Sequence, residues 1–453
     1  MNILFFLILY LIQKISSEDY EKLDLTYTSP YYYITMNFPY PNNQKKFVFS
    51  TNLPKSFYPS SSCTKCKYII INYEDEIFQN STKNISIPYY QYNFIGKEFN
   101  ASAYTEKFVS QNYFCSFDNL TYASQYAGNG RFSLSYLNYN FNTEKKIFAI
   151  KFTEDGAELH LGGYDNSVDI KSADNFKVTV DYAYENYTEE IEYKNKSEST
   201  NNMFYENNFL SELNDNNDTI KENITIEIDK SKWYINFTKL KIKTEDEVDV
   251  DNPLNGYKLT LDMSYDKFLI PRNFFLKNVQ KIFPKDAKCQ LARDGYFICQ
   301  CDEDYKTKFG SFVFETDEGT KFYVNVTDYM TYQSSVKGSQ CEVHLLMNYE
   351  NDLFIGGITV LNNYYSIFDV DNSVLKILPR DDLSARQTTK FLILFFSVLV
   401  ATILILFGGY YFYNKYIINE PTIVVPQNNG QNNNSSSNNY KENNKEFACF
   451  LTI

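Results

Sequence analysis

Short runs of aromatic and β-branched residues, each stopped by Asn, Gly, Pro or Ser, constrain this chain more than any other feature. They recur from Tyr31 to about Tyr182 and again from Trp233 to Pro379. The first half holds Phe47-Val48-Phe49, Tyr68 to Ile71, Ile147 to Phe152 and Leu159-His160-Leu161. The second holds Trp233 to Phe237, Tyr257 to Leu261, Phe312-Val313-Phe314 and Ser366-Ile367-Phe368. Such residues pack well on a pleated surface, so many short runs between turn formers predict an all-β fold of barrels or sandwiches. Helical periodicity is scarce; the exception is Pro271 to Ile282, where apolar residues recur at helix spacing behind a proline. Residues 183–231 turn acidic and Asn-rich, which predicts an exposed insertion or linker. With 41 Tyr and 38 Phe, disorder over the whole length is excluded. A formal charge of −13 leaves no basic face for nucleic acid. Only two histidines, His160 and His344, leave little material for a His-rich metal centre or a His-paired nucleophile.

Both ends predict a membrane-anchored secretory protein. The apolar run Ile3 to Ile12 followed by Glu18-Asp19 reads as a signal peptide over residues 1–17, cleaved near Ser16 or Ser17. Phe391 to Tyr413 is uncharged and ends in Tyr410-Tyr411-Phe412-Tyr413. At 1.5 Å per residue it reaches about 34 Å, enough to cross a bilayer core of about 30 Å, with the tyrosines at the interface. Lysines and arginines flank it on both sides, so the signal peptide sets the orientation: a single-pass type I protein, its bulk lumenal or extracellular, at the cell surface or in a secretory or endolysosomal membrane. The tail, residues 414–453, is low in complexity between Asn428 and Asn444 and is expected to be cytosolic and disordered.

Asn-x-Ser/Thr sequons start at Asn80, Asn84, Asn100, Asn119, Asn186, Asn195, Asn217, Asn223, Asn236 and Asn325, all ahead of that span, and predict N-glycans. Seven cysteines, Cys63, Cys66, Cys115, Cys289, Cys299, Cys301 and Cys341, precede the span, and Cys449 follows it. Cys63-Thr64-Lys65-Cys66 has neither a second such pair for zinc nor a βαβ setting for redox work, so structural disulfide use is expected.

One ordered set of motifs carries a family resemblance. Val48 to Cys63 resembles the active-site strand and loop of the first lobe of pepsin-like aspartic peptidases, with Phe57, Pro59, Ser60 and Cys63 in step. Ser50 stands at the position of the first catalytic Asp and Asn52 at that of a Gly. Leu259 to Pro271 resembles the second-lobe counterpart, with Asp262 at the second catalytic Asp and Met263 and Ser264 departing from the usual pattern. Leu159 to Asp165 and Leu353 to Gly357, then Tyr364 to Asp369 and Val374 to Pro379, resemble the strands that close the two lobes. Tyr89 to Gly96 sits where the family has its flap hairpin, with Tyr89 at the flap tyrosine. The resemblance implies a bilobal double β-barrel with an N-terminal lobe over 18–182 and a C-terminal lobe over 232–379. It implies a Cys301–Cys341 bridge and a small Cys289–Cys299 loop, no cofactor and no metal. It also implies an extended peptide or protein in the interlobe cleft, met by Tyr89, Thr51 and Ser264.

The chemistry of that site makes Ser50 decisive. Such enzymes hold two carboxylates close enough to share one proton, one accepting from the attacking water and one donating to the scissile carbonyl. A serine hydroxyl does not accept a proton at neutral or acid pH, and losing a positioned acid–base group costs on the order of 10²–10⁴ in rate. Asp262 without a partner carboxylate is expected to titrate as an ordinary acid unless burial raises it. In the first lobe the apolar-apolar-Gly element behind the catalytic turn reads Arg131-Phe132-Ser133; the second-lobe version, Phe354-Ile355-Gly356, is intact. These residues predict a catalytically impaired member that retains peptide binding. The alternatives are an active aspartic endopeptidase with an atypical site, in which another Asp takes the missing role, and a surface adhesion or structural glycoprotein. No Gly-x-Ser-x-Gly element supports a serine hydrolase.

Overall fold

The computed structural model describes residues 20–37, 44–59, 84–89, 92–105, 108–119, 130–166, 168–193, 220–244, 247–249, 256–284, 287–292, 296–335, 338–348, 352–413 and 415. The signal-peptide segment, Cys63 and Cys66, and the tail apart from Lys415 lie outside the described residues. The chain divides into two compact units, 1–388 and 389–453.

The first unit begins with β1 (Glu21–Thr28), β2 (Tyr31–Asn37), β3 (Gln44–Ser50) and β4 (Ser56–Pro59). An antiparallel meander follows: β5 (Asn84–Tyr89), β6 (Tyr92–Tyr104) and β7 (Val109–Asn119). Then come β8 (Arg131–Ser133), β9 (Ile147–Phe152), β10 (Gly156–Leu161), β11 (Asp174–Asp181), β12 (Tyr184–Tyr193) and β13 (Ile220–Asp229). The second half continues with β14 (Lys232–Phe237), β15 (Lys239–Lys243), β16 (Glu247–Asp249), β17 (Tyr257–Leu261) and β18 (Phe268–Pro271). Helix α1 (Arg272–Ile282) starts directly behind Pro271, where the periodicity placed it; a proline costs nothing there because the first amides of a helix have no partner. After it lie β19 (Cys289–Leu291), β20 (Phe297–Gln300), α2 (Tyr305–Lys308), β21 (Ser311–Glu315), β22 (Lys321–Val324) and α3 (Val326–Tyr329). The half ends with β23 (Met330–Ser335), β24 (Gly338–Val343), β25 (Leu345–Asn348), β26 (Leu353–Gly356), α4 (Ile358–Leu361), β27 (Tyr364–Asp369) and β28 (Val374–Pro379).

The two halves repeat one uncommon pairing. In the first, β3 runs parallel to β8, while β4 is antiparallel to β8 and parallel to β7. In the second, β17 runs parallel to β26, while β18 is antiparallel to β26 and parallel to β25. A shared antiparallel sheet in the order β1-β10-β9-β27-β28-β11 joins them. Aromatic side chains fill the space beneath it: Phe148 and Phe368, one from each half, stack with centroids 4.3 Å apart, and Trp233 meets both Phe368 and Tyr136 edge-on. Cys289–Cys299 and Cys301–Cys341 are disulfides, the pairing that the resemblance implied.

The stretch read as an acidic insertion or linker is more ordered than its composition suggests. β12 and β13 pair antiparallel from Tyr184↔Asp229 to Tyr193↔Ile220, and β13 lies parallel to β5 at Ile226↔Asn84, Glu227↔Ile85 and Ile228↔Ser86. Every second residue in Ile224, Ile226 and Ile228 is apolar, a strand signal masked by the surrounding Asn and Glu. At the inner end Asp229 is buried, accepts the Ser231 amide at 3.1 Å and faces Lys55 at 3.9 Å.

Helix α5 (Arg380–Tyr413) runs 34 residues, and its described apolar side chains, among them Phe396, Leu399, Ile403 to Phe407 and Tyr410 to Tyr413, are exposed. The side chains of 381–395 and 398 lie outside the described residues; among those described, no helix is long and apolar enough to cross a membrane.

Candidate active site

The ends of β3 and β17 meet. Ser50 is the last residue of β3, Asp262 directly follows β17, and both are fully buried. The Ser50 hydroxyl donates to Asp262 Oδ1 at 2.9 Å and accepts the amides of Asn52 at 3.4 Å and Leu53 at 3.3 Å. Asp262 Oδ1 also accepts the amides of Thr51 at 3.2 Å and Ser264 at 2.9 Å. Among the described residues, no other carboxylate hydrogen-bonds to Ser50 or Asp262.

Thr51 clamps the two halves together. Its hydroxyl donates to Leu261 O at 2.8 Å and accepts the Met263 amide at 3.3 Å. The residue expected among the ligand contacts is thus buried with its hydroxyl engaged across the interface. Met263, with no hydroxyl, offers no reciprocal bond; instead the Trp233 indole N–H donates to Thr51 O at 2.7 Å. Trp233 is the only tryptophan in the chain and opens the second half, the one sequence signal for this contact. Trp233→Phe keeps most of the packing and leaves a buried carbonyl without its donor, which should lower the unfolding free energy by about 1–3 kcal/mol in denaturant titrations. An unchanged midpoint would show that this bond adds nothing.

Burial raises the pKa of Asp262, and the hydrogen bonds from Ser264, Ser50 and Thr51 only partly oppose it. The sequence left this open; burial decides it. The Ser50 hydroxyl and the amides of Thr51 and Ser264 all reach Oδ1, and the Ser264 side chain also counts among the bonds that oppose the shift. Burial thus disfavours the charged form of Asp262, while these donors favour it. The site therefore presents one acid and one hydroxyl, and the hydroxyl's own proton is engaged by Asp262.

The supports behind the two turns differ. A Cβ on Gly356 would lie 2.6 Å from Leu261 Cδ2, so any larger residue there requires the buried Leu261 side chain to move. In the first half Ser133 fills that place, its hydroxyl donating to Leu53 O while its amide donates to Ser56 Oγ at 2.9 Å. Arg131 is buried beside it, its guanidinium 5.2 Å from the centre of the Tyr31 ring and donating to Gly130 O at 3.1 Å. Ser264 is buried next to Asp262. Tyr89 ends β5 and pairs with Tyr92 at the tip of the β5–β6 hairpin; its side chain lies outside the described residues. Among the described residues, no group of three or more His, Cys, Asp or Glu is placed to hold a metal ion.

No curated protein matches the chain. Residues 60–379 match the family model described as eukaryotic aspartyl protease. The match begins after Ser50, so the first half-site is placed by its contact with Asp262 across the interface. With most of its length matched, two disulfides paired as that family implies and mixed β-pairing repeated in both halves, the chain belongs to the eukaryotic aspartyl protease family.

Proposed function

We propose that this family member has weak or no peptidase activity and uses the cleft between its lobes to hold an extended peptide, as a glycosylated, membrane-anchored protein of the secretory route. The observation that carries the reading is the Ser50 hydroxyl 2.9 Å from Asp262, in the place where a proton-sharing carboxylate would stand. A lone acid has no second carboxylate beside it to act as the base that activates water. An extended chain can still be held by main-chain hydrogen bonds, as in strand addition. Anchorage is supported by the apolar run from Phe391 and by the exposed apolar side chains of α5. Glycosylation is supported by the exposed positions of Asn186, Asn236 and Asn325, each in a sequon.

The test uses the full-length protein in detergent and a random decapeptide library from pH 3 to 7. The reading expects capture of library members without cleavage. Cleavage at acid pH that Asp262→Ala abolishes would establish an active endopeptidase instead.

A further inference from the structure

Strand β5 is covered on both edges. One edge pairs with β6, and the other lies parallel to β13 at Asn84, Ile85 and Ser86. Ile85 and Ser86 are buried there. Without β13, the described residues would leave β5 as the bare outer edge of the β5–β6–β7 meander, and bare edges fray. Nor is β13 a loose cover, because its ten residues pair along their whole length with the ten of β12.

The ribbon these two strands form is rooted on the other half of the molecule. It leaves the body between β11 and β14, which pair with each other, and β11 also pairs with β28. At the root the Lys230 amide donates to Ala183 O at 2.8 Å, and the Ala183 amide donates to Ser231 Oγ at 3.2 Å. Asp229 follows Ile228, the last residue of the β13–β5 ladder, and lies 3.9 Å from Lys55 Nζ in the turn behind Ser50. Root, hairpin and candidate site thus converge. We propose that the β12–β13 ribbon is a strap: rooted on strands that pair with the second half, it holds the β5–β6 hairpin beside the turn of Ser50, so that the hairpin is set before a ligand arrives. The strap stands whether or not the cleft takes peptide. A ribbon that merely capped a sheet edge against other chains would need no root beside Lys55.

The test is hydrogen exchange resolved to single amides in the ligand-free, full-length protein. Two variants accompany wild type. One replaces residues 184–229 by Asn-Gly, a two-residue hairpin turn that the bond from Lys230 to Ala183 already frames. The other, Asp229→Ala, keeps the β13–β5 ladder and loosens the root. In wild type the amides of residues 84–86 should exchange as slowly as those of β6 and β7. Those facing away from β6 should exchange about tenfold faster in the ribbonless protein and several-fold faster in Asp229→Ala, while β9 and β27 keep their wild-type rates. Rapid exchange across 84–86 in wild type overturns the strap without any variant. So does unchanged exchange in the ribbonless protein, which would show the hairpin holding itself. Unchanged exchange in Asp229→Ala also overturns it, leaving an edge cover with no pull from its root.

Discussion

Ser50→Asp combined with Asn52→Gly should turn the full-length protein into an acid peptidase at least 10²–10⁴-fold faster than wild type. The Ser50 oxygen already lies 2.9 Å from Asp262 Oδ1, so a carboxylate carried by the same residue comes within proton-sharing reach. Two carboxyls that close do not both ionise: one keeps a proton for the scissile carbonyl and the other becomes the base for water. The framework they need is present, since Thr51 bridges to Leu261 and Met263, and Ser264 donates its amide to Asp262. Adding Asp262→Asn to the repaired chain should return turnover to the wild-type level, which separates a restored pair from a contaminant. The measurement is turnover of a fluorogenic peptide mixture from pH 3 to 6. A wild type that matches the repaired chain would sink the idea that the hydroxyl limits catalysis.

The second large effect is on stability and turns on Asp328. Its carboxyl is buried at the start of α3, accepting the Asn325 amide at 2.7 Å and the Asn363 side-chain amide at 2.9 Å, and burial pushes its pKa up to about 7. The folded state then holds a proton that the unfolded chain releases near pH 4, so the contribution to stability is greatest below about pH 4 and falls as pH rises to about 7. Three pH units correspond to about 4 kcal/mol. Asp262, also raised by burial, pulls in the same direction. Urea titrations at pH 4 and pH 7.5 should show wild type losing stability relative to Asp328→Asn by about that amount across the interval. Parallel behaviour of the two proteins would mean that Asp328 is ionised in the fold. The sign is opposite to that of a salt-bridged carboxylate.

Strand content, the helix behind Pro271 and the second-half disulfides were legible because each is set by local spacing or by motif order. The family was legible from Leu353 to Gly357 and from Val48 to Cys63 for the same reason. Less local features escaped. The parallel contact of β13 with β5 joins residues about 140 positions apart, and nothing in either segment announces the other. Trp233 reaching Thr51 O compensates for Met263, a substitution visible in the sequence whose remedy lies in another strand. Asp328 stands just behind the Asn325 sequon, and only burial makes it an unusually weak acid.

The sheet in which β9 and β10 lie edge to edge with β27 and β28 bears on how the chain survives damage. Because β27 comes from the far end of the sequence and hydrogen-bonds directly to β9, a single backbone break between β12 and β13 frees neither piece. The fragments remain laced by the β9–β27 and β11–β28 ladders and by the stacked pair Phe148 and Phe368. Scission there would leave the two fragments held together as a two-chain particle.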